Sequence, residues 1–189
     1  MIILETERLV LRNWTDSDQD LFYEINSDPK VMEYFPFRRD RGEADLFLST
    51  MKNLVRDTGY GFYCMEIKAT GEPAGFCGLV QTKLVPVLPL DIIEIGWRLA
   101  TRHWGQGYVT EAGKALLRYG FEEKQLDEIV SFAVRDNRRS IAVMERIGLG
   151  HDASRDFDHP RVPESMPHLR PHVLYTISRS EWLARQAAT

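Results

Sequence analysis

The chain has 189 residues, of which 43% are hydrophobic and 28% charged, and its formal net charge is −4. This balance is typical of a globular protein that buries a sizeable core, and it excludes a mainly disordered chain. The small negative charge argues against the strong positive field by which proteins bind nucleic acids. We therefore expect a single domain over residues 1–189, without a nucleic-acid partner.

Two further features of the sequence concern the compartment. Glutamates interrupt the N-terminal stretch where a signal peptide needs an apolar core, and two prolines and an aspartate break the most apolar later stretch, residues 84–93. The two cysteines, Cys64 and Cys77, are too few for a disulfide framework. We expect a cytoplasmic protein, with no membrane partner and with both cysteines reduced.

The first part of the chain predicts a strand followed by two helices. Alternating apolar residues over 8–12 predict the strand. Thr15, followed by acidic residues, predicts the start of a helix that stops at Asp28-Pro29. Apolar residues at helical spacing predict a second helix over 42–56.

The next two apolar runs, 59–67 and 74–81, are joined by a short segment that contains glycine and proline, and they predict a β-hairpin. If this hairpin is symmetric about positions 70 and 71, Cys64 and Cys77 lie opposite each other on neighbouring strands. Such a pair stays reduced in the compartment that we expect.

The second half of the chain predicts alternating strands and helices. In order, these are a buried strand over 92–99, a helix over 108–121, a strand over 128–134, a helix that Asn137 opens and Gly148 ends, a last strand over 172–177 and a short helix from Ser180. The stretch between His151 and His172 is predicted to be irregular. Together the elements indicate a mixed α/β arrangement around one sheet, with a ligand crevice near the carboxyl end of the strand over 92–99.

The turn that follows this strand carries the most informative motif, R-H-W-G-Q-G-Y, at residues 102–108. Glycine permits a tight turn, and the free N–H groups at the start of a helix attract anions. The turn at Gly105 and Gly107 therefore predicts a site for a phosphate or pyrophosphate. Thr110 stands where a Rossmann fingerprint has its third glycine, and Ala115 follows the Gly-Lys pair where a P-loop has serine or threonine.

The pattern Arg102-x-x-Gly105-x-Gly107 resembles the acyl-CoA-binding motif of the GNAT superfamily of N-acetyltransferases. A second block, from Asn137 to Leu149, is similar to the family's second conserved block, in which an asparagine opens the helix beside the pantetheine arm. The resemblance implies the GNAT fold, an α/β (α+β) fold with a mixed central sheet flanked by helices on both sides. It also implies an N-acetyltransferase that moves an acetyl group from acetyl-CoA, its cosubstrate, to a primary amine without a metal ion.

The form Asn-x-x-Ser at Asn137, together with Trp97 at the end of an E-x-G-W strand, resembles most the branch that includes the ribosomal-protein N-terminal acetyltransferases. This implies a peptide or protein α-amine as acceptor. Such an amine costs about 1 kcal/mol to deprotonate at pH 7, whereas a lysine costs about 4.6 kcal/mol. A small-molecule amine acceptor, an acyl-CoA-binding protein without turnover and a dinucleotide-binding module remain alternatives. The protein is expected to be a monomer or a homodimer.

The resemblance also implies which residues bind the cofactor. They are Trp97, Leu99, Arg102, His103, Trp104, Gly105, Gln106, Gly107, Tyr108 and Asn137. The backbone amides of 103–108 are expected to hold the pyrophosphate, and Arg102 to add positive charge. The strand edge at Trp97 and Leu99 is expected to bind the pantetheine amides, and Asn137 to reach the same arm. The alternative for Asn137 is a simple helix cap, which is compatible with that role.

Three residues are candidates for the proton transfers. Glu94 lies within an apolar strand and is the candidate base, because partial burial raises a carboxyl pKa; the alternative is a solvent-facing ion pair with Arg98. Ser140 by resemblance, and Tyr175 as the other available hydroxyl, are candidates to protonate the thiolate. The alternative is that Ser140 only completes the helix cap and that Tyr175 only packs in the core. Many GNAT enzymes carry a tyrosine where this chain has Met144, so water is a further candidate donor.

The resemblance also implies that residues 28–41, 82–90 and 157–170 form the acceptor end of the site. Aromatic and acidic side chains in or beside these ranges are candidates to seat a cation, or else belong to core and rim: Tyr34, Phe35, Phe37, Asp156, Asp158 and Glu164. Asp156, Asp158 and His159 match no metal-ligand spacing, so we expect a solvated loop there.

Overall fold

A computed structural model describes residues 1–187, which divide into two compact units. The first unit consists of Met1–Val80 and Gly96–Ala115, and the second of Gln81–Ile95 and the chain from Leu116 onward. The expectation of a single domain over 1–189 stays a prediction.

The first unit contains antiparallel strands in the order β1-β2-β3-β4, together with two helices. These elements are β1 (Ile2–Glu5), β2 (Leu9–Arg12), α1 (Gln19–Ser27), α2 (Arg41–Thr58), β3 (Gly61–Ile67) and β4 (Pro73–Gln81). The unit also holds the end of β5 (Ile93–Leu99) and the start of α3 (Tyr108–Arg118). The sequence predicted all of these except β1, whose half-buried residues show no clean alternation.

The helices of the first unit pack on β3 and β4 through one apolar cluster. Its members are Trp14, Leu21, Phe22, Ile25, Ala44, Leu48, Met51, Cys64, Phe76 and Ala100. Local signals set the ends of α2: the Asp40 carboxylate accepts from the Glu43 amide at 2.9 Å, and Gly59 adopts the left-handed conformation (φ 73°) at the C-terminus. The predicted helix over 42–56 is therefore confirmed.

The register of the β3–β4 hairpin corrects the prediction about the cysteines. Cys64 pairs with Phe76 and Cys77 with Tyr63, because the pairing shifts at an irregularity close to the turn. Successive side chains of a strand alternate between faces, so Cys64 and Cys77 point to opposite faces of the hairpin. Both thiols are buried and free, and burial raises the pKa of each.

The second unit contains the start of β5 and the end of α3, followed by β6 (Glu128–Val134), α4 (Arg138–Ile147), β7 (Gly150–His151), β8 (Phe157–Asp158), β9 (Pro171–Ser178) and α5 (Arg179–Ala187). The described ladder between β5 and β6 is parallel and consists of two pairs, Ile93 with Ile129 and Glu94 with Val130. β6 pairs antiparallel with β9 along its whole length. Parallel and antiparallel pairing in one sheet confirms the mixed α/β fold class.

Two parts of the second unit differ from the sequence-based expectation. α3 ends at Arg118, before the predicted 121, because a π-helical turn over Tyr119–Glu123 replaces its last turn. The stretch predicted to be irregular contributes β7 and β8, which both pair with β9 but are too short to show a periodic pattern. Among the helices of residues 1–187, none has the length and apolar character that crossing a bilayer demands.

Candidate active site

The glycine turn has the geometry that its sequence predicted. After β5 the chain makes a single 3-10 turn over Thr101–His103, and α3 starts at Tyr108. Gly105 (φ 76°) and Gly107 (φ 80°) both adopt the left-handed backbone conformation, which residues with a Cβ atom rarely adopt. A Cβ added at Gly105 would meet no heavy atom within 4 Å, so the turn is open at this point. Sequence and conformation together make the turn accessible to a ligand.

Neighbouring residues of the first unit brace this turn. The Trp104 indole donates to the Leu99 carbonyl oxygen at 3.0 Å. Arg8 donates from Nη1 to the Gln106 carbonyl oxygen at 3.0 Å and from Nε to the Glu111 carboxylate at 2.6 Å. Arg8 could not be identified from the sequence, because its partners lie about a hundred positions away in the chain and no local pattern connects them.

Arg102 and His103 have carboxylate partners in the first unit. Arg102 forms ion pairs with Glu24 and Glu72, and the hydrogen bond with Glu24 raises the pKa of Arg102. His103 Nε2 lies 3.1 Å from Glu72 Oε1. The role of Arg102 at a pyrophosphate stays a prediction. It requires the guanidinium either to leave Glu24 and Glu72 for the pyrophosphate or to bind the pyrophosphate while it keeps these ion pairs.

Glu94 lies in the second unit, on the part of β5 that pairs with β6. It is half-buried, and burial raises the pKa of its carboxyl group to about 8. Among the described residues its carboxylate has no hydrogen-bond or ion-pair partner. Arg98, which the sequence offered as an alternative partner, instead donates to Asn26 at 2.6 Å. A carboxyl group of this kind accepts a proton near neutral pH.

The other polar candidates of the second unit surround α4. Asn137 Oδ1 accepts from the Ser140 amide at 3.2 Å, which confirms the helix cap. Tyr175 donates to Glu145 Oε1 at 3.3 Å, and burial is the main cause that raises its pKa. Ser140 and Glu145 are five residues apart, roughly 140° around the helix, so the residue that Tyr175 contacts lies on a different side of α4 from Ser140. Met144 is 1% exposed and belongs to the core.

The aromatic candidates for a cation seat already contact cations of the chain. The Arg98 guanidinium lies 4.3 Å from the centre of the Phe35 ring, and that of Arg39 lies 4.6 Å from the Phe37 ring. In the second unit, Asp156 accepts from the Leu174 amide at 3.0 Å and contacts His151 at 2.9 Å. Within residues 1–187, no group of three potential metal ligands is placed to hold an ion.

Comparison with known proteins places this geometry in a family. Residues 8–150 match the family described as acetyltransferase (GNAT) domain. YkkB of Bacillus subtilis, an uncharacterized protein, is 35% identical over 77% of this chain and 84% of its own length. The FsC-acetyl coenzyme A-N(2)-transacetylase of Aspergillus fumigatus is 30% identical over 97% of this chain and 79% of its own length.

Solved structures agree with this assignment. An acetyltransferase from Agrobacterium tumefaciens superimposes with a TM-score of 0.72 at 29% identity and covers 92% of both chains. The fold is also that of a GNAT-family acetyltransferase from Bacillus anthracis, with a TM-score of 0.77 at 24% identity over 96% of this chain and 100% of that one. The resemblance predicted from the two motifs is confirmed, and the chain belongs to the GNAT family of N-acetyltransferases.

Proposed function

We propose that this protein transfers the acetyl group of acetyl-CoA to a primary amine, and that the acceptor is the α-amine of a peptide or protein. The observation that carries the proposal is the half-buried Glu94 carboxyl group, whose pKa of about 8 suits it to take a proton from an amine near neutral pH. An α-amine needs little help to lose its proton, so one carboxylate acting through water is sufficient. The protein acts in the cytoplasm as a monomer or homodimer.

The cofactor is held by the first unit. The amides of 103–108 bind the pyrophosphate at the open glycine turn, and Arg102 adds positive charge. The edge of β5 at Trp97 and Leu99 binds the pantetheine amides as an added strand would. In support of this role, the described ladder with β6 includes only the first two residues of β5. Asn137 caps α4 in the second unit, and its expected contact with the pantetheine arm stays a prediction.

In the reaction, the neutral amine nitrogen attacks the thioester carbonyl carbon, the C–S bond breaks and the thiolate of CoA leaves. Glu94 receives the proton that the amine loses, and the thiolate takes up a proton from a hydroxyl group or water. Ser140 is favoured as the donor over Tyr175, because Tyr175 already donates to Glu145 whereas the Ser140 hydroxyl has no partner among the described residues.

The test is to mix the protein with acetyl-CoA and a panel of amines and to measure thiol release and the acetylated product. The panel contains peptides with free N-termini, the same peptides with blocked N-termini but free lysines, and small amines such as spermidine. Acetylation of free N-termini is the expected result. Acetylation of small amines alone would establish the alternative acceptor, and CoA binding without thiol release from any amine would establish a non-catalytic acyl-CoA-binding protein.

A matched pair of glycine variants tests the cofactor site. Gly105 in the turn and Gly71 in the β3–β4 hairpin both have left-handed φ (76° and 69°) and open space at Cβ. Either Gly→Ala change therefore costs about 1–2 kcal/mol of backbone strain. We expect only Gly105→Ala to weaken CoA binding, by roughly 5–30-fold in Kd measured by calorimetry. Equal CoA affinities in the two variants would contradict the pyrophosphate assignment.

A further inference from the structure

Two histidines of the second unit lie at the base of a loop. The loop over 159–170 connects β8 to β9, and a hydrogen bond from the His159 amide to the Arg170 carbonyl oxygen, at 2.8 Å, joins its first and last residues. The ring centres of His159 and His172 lie 4.8 Å apart. The two imidazoles therefore stand where the loop closes on β9.

Hydrogen bonds define the protonation of each ring in the closed loop. His172 Nδ1 lies 2.9 Å from the Arg170 carbonyl oxygen, which can only accept, so this nitrogen carries a proton. His159 Nδ1 lies 3.2 Å from the backbone amide nitrogen of Arg161, which can only donate, so this nitrogen carries none. A protonated His159 would direct one N–H group at another. The closed loop consequently requires a neutral His159.

Aromatic rings enclose the two imidazoles. The Phe157 ring of β8 stacks on His172 with the ring centres 5.5 Å apart. The Phe132 ring of β6 lies 6.3 Å from the His159 ring and 6.1 Å from the His172 ring. His172 is 8% exposed, and His159 is half-buried. Such apolar surroundings favour the neutral form of a histidine.

The charged groups around the rings act differently on the two histidines. Burial is the largest cause that lowers the pKa of His159 to about 4, and the charges of His172 and Arg161 lower it further. Burial also lowers the pKa of His172, although the hydrogen bond with Arg170 and the charge of Asp158 on β8 act in the opposite direction. β6 contributes the uncharged Phe132 ring to the cluster. A positive charge is therefore less favourable on His159 when the loop is closed than when it is open.

The base of the loop also covers an apolar cluster beside Glu94. Phe157 and Phe132 pack against four buried residues, Leu84, Leu88, Val130 and Leu174. Val130 is the residue of β6 that pairs with Glu94 of β5. Release of β8 together with the loop would therefore admit water to the apolar cluster next to this carboxyl group.

We propose that His159 and His172 form an acid-sensitive latch. While both rings are neutral, they hold the segment 157–170 closed on β9, and protonation of His159 releases this segment. Protonation removes the acceptor of the Arg161 amide and places a positive charge beside His172 and the Arg161 side chain. The latch itself is independent of acetyl transfer, whereas its effect on Glu94 rests on the proposed function.

The direction of the pH effect follows from the lowered pKa of His159. The closed segment binds a proton at His159 less tightly than an open segment, in which the pKa has its ordinary value of 6.5. The closed form is therefore fully favoured above about pH 6.5, and this preference is lost as the pH falls toward about 4.

Hydrogen–deuterium exchange, followed by mass spectrometry on the whole chain without acetyl-CoA, tests the latch. After correction for the intrinsic exchange rate, we expect peptides from 157–170 to lose protection by about 10–30-fold between about pH 7.5 and pH 5. Peptides from β6 should keep their protection within about threefold. A loss of less than about threefold in 157–170 overturns the proposal. An equal loss in both regions also overturns it, because the effect of acid is then not local.

An asparagine variant separates the charge from the contact. In His159→Asn the side-chain oxygen can accept from the Arg161 amide, as Nδ1 does, but it takes up no proton. We expect this variant to keep its protection at neutral pH and to lose the pH dependence. His168→Asn is the matched control, because His168 is an exposed histidine of the same loop, and it should retain the wild-type pH dependence. A folded His159→Asn variant that retains the wild-type pH dependence overturns the latch.

A measurement on the wild type decides the case in which asparagine does not close the loop. The ¹⁵N chemical shifts of the His159 ring report which nitrogen carries the proton and the pKa of the ring. We expect the proton on Nε2 at neutral pH and a pKa below about 5. A proton on Nδ1, or a pKa at the ordinary value, overturns the latch. If these results support the latch but no amine is acetylated, only the proposed function fails.

Discussion

Replacing Glu94 by glutamine is expected to lower kcat about 10²–10⁴-fold, the usual contribution of a general base, while the Kd for CoA stays unchanged. Glutamine keeps the shape of the side chain but accepts no proton. The same change in Glu122, an exposed glutamate, is the control and should leave kcat within twofold. Turnover is measured by thiol release, and a Glu94→Gln variant with wild-type turnover would remove Glu94 from the mechanism.

The pH dependence of the same variant gives a second readout. The base acts in its ionised form, and with a pKa of about 8 the wild-type kcat is expected to rise with pH up to about 8 and then to level off. The Glu94→Gln variant should lack this rise of kcat with pH.

The free energy of unfolding of the wild type changes in the opposite direction and falls as the pH rises. Because the folded pKa lies above the unfolded value of 4.5, the folded state holds the proton more tightly, and this stabilisation is lost as the pH rises from about 4.5 to 8.

Glutamine does not ionise, so at pH 8 the Glu94→Gln variant is expected to be more stable than the wild type by about 1–3 kcal/mol. Chemical denaturation at pH 5 and pH 8 measures this difference, which should shrink at the lower pH. A stable variant with low turnover separates loss of the base from loss of the fold.

The second large effect is expected at Asp18, where Asp18→Asn should cost about 3–5 kcal/mol of unfolding free energy. Asp18 is 2% exposed and receives two hydrogen bonds from Arg12, at 2.7 and 2.9 Å, and one from the Thr15 amide at 2.8 Å. Burial alone raises a carboxyl pKa, but these hydrogen bonds together bring the pKa of Asp18 below its ordinary value. The asparagine leaves the Arg12 guanidinium partly uncompensated between β2 and α1.

Asp57→Asn is the matched control, because Asp57 and its partner Arg56 are more than half exposed and such pairs contribute little. Thermal denaturation should show a Tm lower by about 6–20 °C for Asp18→Asn and a nearly unchanged Tm for Asp57→Asn, and urea denaturation measures the corresponding free energies of unfolding. Because the folded pKa of Asp18 is depressed, its stabilisation is present at neutral pH and is lost as the pH falls below about 4. Equal losses in the two variants would mean that burial of the Asp18 pair contributes nothing.

The parts of the molecule that the sequence predicted are those set by neighbouring residues. The glycine turn could be predicted because its determinants, Gly105 and Gly107, and the helix that follows are contiguous in the chain. The cap of α4 at Asn137 could be predicted for the same reason. Glu94 could be named as a base because a carboxylate in an apolar strand is unusual, although its missing partner became visible only in three dimensions.

The parts that could not be predicted depend on contacts between distant positions. Arg8, just before β2, donates to the glycine turn, and Arg98 of β5 contacts Asn26 and Phe35, which lie in an earlier segment of the chain. The aromatic residues near position 35 were candidates to seat a foreign cation, but the fold brings the protein's own arginines to them. The predicted pairing of the two cysteines was wrong for a similar reason. An irregularity near the turn shifts the register of the hairpin by one residue, and no local sequence pattern indicates this shift.

The brace at Arg8 links the N-terminal strands to the glycine turn and to the start of α3. The amide of Arg8 and the Thr6 hydroxyl both donate to Glu111, while the Arg8 guanidinium holds the Gln106 carbonyl oxygen. If CoA stabilises this turn, thermodynamic linkage requires that bound CoA also slow hydrogen–deuterium exchange at the start of β2. By the same linkage, disorder of the N-terminal residues weakens the binding of CoA. A bulky N-terminal fusion is therefore a poor choice for affinity measurements, and a C-terminal tag is preferable.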